Sequence, residues 1–94
     1  MIRFEVGIPI EDANNNSVDV TSLQSEMESI ASDAQTHAIG QDTLFKAGSF
    51  IKQLNMYFWL IPDTDLSQAT TNFNTFLSNN TFSISPYVHN WTVN

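Results

Sequence analysis

In the first ten residues Ile2, Phe4, Val6, Ile8 and Ile10 occupy every second position, with Arg3, Glu5 and Gly7 between them. Strand side chains alternate between two faces, so this spacing predicts a strand with one buried face. Glu11 to Ser17 is acidic and asparagine-rich, with nothing apolar larger than Ala13, and is expected to be a surface loop. From Leu23 the period lengthens. Leu23, Met27, Ile30, Ala31, Ala34 and Ala38 fall on one helical face, Thr21 and Gln24 have capping-box spacing, and Gly40 is the expected stop.

Thr43 to Ile61 is rich in β-branched and aromatic residues and is too long for one ordinary strand, so a break near Gln53-Leu54-Asn55 is expected. Asp65 and Gln68 repeat the capping-box spacing, and Leu66, Ala69, Phe73, Phe76 and Leu77 mark a second helix ending at Asn79-Asn80. The tail alternates over Tyr87, His89, Trp91 and Val93, and Pro86 keeps its start out of a central ladder, which predicts an edge strand. The resulting order, β-α-β-β-α-β, is that of the ferredoxin-like split βαβ arrangement. It implies an α+β fold, a four-stranded antiparallel sheet with two helices on one face. The length of 94 residues suits one domain spanning residues 1–94.

Within that architecture the run Leu54 to Ile61 is apolar on both faces. Met56, Phe58 and Leu60 are expected to face the helices, leaving Tyr57, Trp59 and Ile61 on the helix-free face. Joined there by Tyr87, His89 and Trp91, they would make an aromatic patch of the size that marks an interface. A loop folded over the same face is the plain alternative. On this assignment Trp59→Ala should disturb assembly more than folding, and Phe58→Ala should act as a core truncation.

Charge narrows the partners. Three basic residues stand against ten acidic ones, a net charge of −7, so a phosphate backbone would be repelled and direct nucleic-acid binding is not expected. The aromatic sheet invites comparison with RNA-binding sheets of the same topology, but Tyr57-Phe58-Trp59 has no basic or glycine companion. No run approaches the length of a membrane span and the first residues do not resemble a signal peptide, so a soluble protein is expected, with no membrane partner. Its location is open, with host cytoplasm or a virion as the candidates. With no cysteine, thiolate chemistry and cysteine-based metal sites are excluded.

Candidate chemistry is sparse. Glu11-Asp12-Ala13-Asn14-Asn15-Asn16 begins like a calcium loop, yet Ser17 stands where glycine is needed and Leu23 where a bidentate Glu should be. His37 and His89 lack ligand neighbours at helical spacing, so no metal or other cofactor is expected. Ala47-Gly48-Ser49 lacks the glycine pattern of a serine nucleophile, and Gly48 reads better as a strand bulge. The carboxylate pairs Glu26/Glu28 and Asp63/Asp65 are explained by a diverging helix surface and by capping.

Three functions fit these residues. The first is a non-enzymatic interaction or assembly module that docks on itself or another protein through the aromatic sheet face; its low-lysine, Asn/Ser/Thr-rich composition suggests a small viral, virion-borne component. The second is an acidic inhibitor of a host or partner protein, a counter-defence factor that mimics nucleic acid through its charge. The third is a small dimeric α+β-barrel protein, ligand-binding or enzymatic, with His89, Tyr57 or Trp91 lining a pocket between sheet and helices.

Overall fold

The computed structural model describes the backbone of residues 1–31, 37–46 and 49–93, and the side chains of residues 1–31 and 53–93. It is an α+β fold with an antiparallel sheet and two α-helices. The elements are β1 (Ile2–Pro9), α1 (Thr21–Glu28), β2 (His37–Lys46), β3 (Ser49–Ile61), a 3-10 turn (Asp63–Asp65), α2 (Leu66–Ser78) and β4 (Tyr87–Thr92). The sheet order is β2-β3-β1-β4, and each neighbouring pair is antiparallel.

Register decides which side chains share a face. Ile2, Phe4 and Val6 of β1 stand opposite Ile61, Trp59 and Tyr57 of β3. Residues directly opposite point to the same side, so all six lie on one face. Leu23 and Met27 from α1 and Ala69, Phe73 and Phe76 from α2 close over them in a single buried cluster. The Phe73 ring meets Phe4 edge-on, with centroids 6.2 Å apart, and Tyr57 stacks on Trp59 at 6.4 Å. Both helices therefore cover one face.

Several local expectations are corrected. The first helix ends at Glu28, and Ala38 and Gly40 belong to β2; Ala34 lies outside the described residues. The apolar spacing that suggested a longer helix arose from alanines, which bury too little area to hold a segment helical against a competing strand pairing. Neither capping box forms. Thr21 is already helical, with its N–H donating to Asp19 Oδ1 at 2.9 Å. Asp65 makes no side-chain cap, and Gln68 Nε2 donates to Asn72 Oδ1 at 2.8 Å. The break expected at Gln53-Leu54-Asn55 is absent: these residues run through β3, which follows β2 by way of residues 47 and 48. Gly48, expected as a bulge, lies outside the described residues. The register shifts of β2 fall instead between Ala38 and Gly40 and between Leu44 and Phe45.

The acidic loop is more ordered than its composition implies. Asp12 Oδ1 accepts the N–H groups of Asn14 and Asn16 at 2.8 and 3.0 Å, and an isolated bridge joins Glu11 to Ser17. Asn15 takes φ of 64°, a left-handed conformation that asparagine tolerates.

Candidate functional site: the open face of the sheet

The face opposite the helices is built by the odd-numbered residues of β1 and their partners. Arg3 stands between Leu60 and Trp91, Glu5 between Phe58 and His89, and Gly7 between Met56 and Tyr87. This overturns the expected facing of β3. Tyr57, Trp59 and Ile61 are buried in the core beneath the helices, with Trp59 and Ile61 wholly inaccessible, and Met56, Phe58 and Leu60 are the half-buried residues on the open face. A strand apolar on both sides gives no parity of its own. The register against β1 sets it, and a one-residue difference exchanges every side chain between faces. Tyr87, His89 and Trp91 do lie on the open face, as expected, and all three are exposed.

At the centre of this face the Arg3 guanidinium carbon sits 3.8 Å from the centroid of the Phe58 ring and 5.5 Å from that of Trp91. Guanidinium is planar and weakly hydrated, so it packs on aromatic rings where an ammonium would hold its water. One Arg3 Nη lies 3.6 Å from Glu5 Oε1, close enough for attraction and too long for a hydrogen bond. Arg3 Nε is shielded and has no hydrogen-bond partner. Beside this group His89 lies 4.9 Å from Trp91 and 6.4 Å from Tyr87, centroid to centroid, so an aromatic band runs along β4. At one end Met56 and Leu54 close over Gly7: a Cβ there would lie 2.8 Å from Met56 Sδ, 3.1 Å from Leu54 Cδ1 and 3.2 Å from the Tyr87 Cβ, so a larger residue would have to displace the Met56 thioether. Among the described residues no element covers the band.

On the helix side, a groove of about 470 Å³ opens between α2, the segment leading to β4, and β4 itself, with Phe4, Phe73, Leu77, Phe82, Val88 and Asn90 among its walls. Its polar groups are amides and hydroxyls. His89, Tyr57 and Trp91, expected to line a pocket between sheet and helices, do not contribute to this one. Sequence reasoning missed Arg3, Phe58, Met56 and Leu60. The alternation of Arg3 and Glu5 in β1 already placed those charges on the outer face, and that was the available signal.

Burial pushes the Tyr57 hydroxyl above the ordinary phenol value, an effect partly offset by its hydrogen bond with Asn55. The exposed Asp19 carboxyl is held below its ordinary value by hydrogen bonds from the side chain and then the backbone of Thr21. Among the described residues no three His, Asp or Glu side chains gather as a metal site would require, and no helix is long and apolar enough to cross a membrane. Comparison with known proteins gives no matching family model, no matching curated protein and no matching solved structure.

Proposed function

We propose that the chain is a non-enzymatic, ferredoxin-like interaction module that docks through the open sheet face, with a second copy of itself as the occupant. The ferredoxin-like reading is supported by the element order and by the strand order β2-β3-β1-β4 with antiparallel neighbours. The docking reading is carried by one observation: Arg3 layered between Phe58 and Trp91 in a band of Met56, Leu60, Tyr87 and His89, on the side away from the core.

Charge favours a like partner on this face despite the net −7. The carboxylates whose side chains are described, other than Glu5, sit on the loop from Glu11 to Asp19, on α1 and on the 3-10 turn; Asp42 belongs to β2, two strands away from Arg3, and Glu5 is matched by Arg3. The centre of the band, around Arg3 and Glu5, is thus close to neutral, so two copies can meet there without opposing unmatched charges. The acidic-inhibitor reading would instead use the loop and α1, where the negative charge collects.

Solution mass by light scattering tests the reading, comparing the native chain with Leu60→Glu. Leu60 lies on the open face opposite Arg3, so a carboxylate there should abolish association through this face and lower the solution mass, while leaving the far-ultraviolet circular dichroism unchanged. Equal association by the two chains would remove the face from the interface.

A further inference from the structure

The hydrogen-bond ladder shows which backbone groups β4 offers outward. The Val93 N–H donates to Met1 O at 2.9 Å, and the Ile10 N–H donates to Gln53 O at 3.1 Å. In antiparallel pairs, hydrogen-bonded and non-hydrogen-bonded positions alternate. Odd residues of β1 therefore bond to β4 and even ones to β3. On β4 itself Tyr87, His89 and Trp91 face inward to β1 with their backbone groups, and Val88, Asn90 and Thr92 present theirs to the outside of the sheet.

The two sheet edges differ in how they are protected. β2 carries two register shifts and has Asp42 and Lys46 in its sequence, features that discourage further pairing. β4 reads Tyr-Val-His-Asn-Trp-Thr, with no lysine, no carboxylate and no proline, and all six residues are exposed.

We infer that β4 pairs edge-to-edge with β4 of a second copy, antiparallel across a two-fold axis at Asn90, joining two sheets into one. This register is the one that uses all three outward residues. Asn90 meets Asn90 of the partner subunit, and Val88 meets Thr92 of the partner subunit, giving about six backbone hydrogen bonds. On the open face it sets Trp91 against the partner's His89, so the two aromatic bands become continuous. The strand is free of acidic residues, so the pairing brings no carboxylates into contact along its length. The inference concerns the backbone edge and is independent of what docks on the open face.

The absence of native cysteine makes a direct test available. Residue 90 lies opposite itself at a hydrogen-bonded position, where Cα atoms are about 5.5 Å apart, within disulfide reach. Under mild oxidation Asn90→Cys should convert mostly to a disulfide-linked dimer, and Thr75→Cys, exposed on α2, should stay free of the cross-link. By light scattering Leu60→Glu, in which the open face is blocked, should have twice the chain's 10.6 kDa mass, about 21 kDa. Added to Leu60→Glu, Asn90→Pro removes an outward N–H without taking a bond from β1, and should return the mass to 10.6 kDa with unchanged circular dichroism.

A Leu60→Glu chain that stays monomeric at about millimolar concentration overturns the pairing. So does a Leu60→Glu dimer that survives the addition of Asn90→Pro, and if that double variant does not fold, failure of Asn90→Cys to cross-link faster than Thr75→Cys overturns it equally. A dimer lost in Leu60→Glu but kept in Asn90→Pro would assign association to the open face and none to the edge; the converse would assign it to the edge alone.

Discussion

Trp59 and Phe58 are neighbours in sequence with opposite duties. Trp59 is wholly inaccessible beneath the helices, and Phe58 faces outward under Arg3. Trp59→Ala should therefore cost about 3–5 kcal/mol of folding stability in urea titrations. Phe58→Ala should cost less than about 2 kcal/mol, because its ring is only half-buried. This reverses the expectation from alternation alone, and a larger loss for Phe58→Ala would restore it. The set of apolar residues in β3 was legible in the sequence, but their facing was not. With both parities apolar, only the pairing of Phe4 with Trp59 settles which side meets the core. Tyr57 belongs to the same buried set, and its hydroxyl titrates above 10.0, the ordinary value. Because the folded value is the higher one, its contribution is fully present below pH 10 and is lost as pH rises through the folded value. Stability measured from pH 9 to 12 should fall more steeply in the native chain than in Tyr57→Phe; parallel curves would contradict the burial effect.

At the scale of elements, the sequence was most informative where apolar spacing is dense. β1 shows strict alternation, and α2 shows Ala69, Phe73 and Phe76 at helical spacing; both form close to the expected limits. It was least informative between Ile30 and Gly40, where small residues carried the helical pattern. The helix end at Asn79-Asn80 was expected from composition, and the structure adds a contact there: Asn80 Nδ2 donates to Phe76 O at 2.8 Å, a second and shorter bond to a carbonyl that also accepts the Asn79 N–H at 3.2 Å. Asn80→Ala should lower the midpoint of urea unfolding by the equivalent of about 1 kcal/mol, and no change would mean that solvent replaces the bond. The edge position of β4 was also legible, through Pro86. Its backbone polarity, with Val88, Asn90 and Thr92 turned outward, depends on the register against β1 and could not be read from the chain.

For the whole molecule, the separation of charge from the aromatic band has a measurable consequence. Two copies each carrying a net charge of −7 repel at long range, although the surfaces that meet are nearly neutral. Raising salt from about 0.05 to about 0.5 M shortens the screening length to a few ångströms and should strengthen self-association. An acidic surface gripping a basic partner would behave in the opposite way, binding more weakly as salt rises. The candidate site was legible in part. Tyr87, His89 and Trp91 are where the tail pattern placed them, and the remaining members, Arg3, Met56, Phe58 and Leu60, followed only once the strands were registered.

The measurement that bears most directly on the open face uses the two tryptophans. Trp59 is inaccessible and Trp91 exposed, so quenching of fluorescence by acrylamide reports on Trp91. Followed against protein concentration in Asn90→Pro, where edge pairing is removed, quenching should fall as the chains associate and should stay constant when Leu60→Glu is added. Association by mass with Trp91 equally quenchable at every concentration would contradict docking through this face.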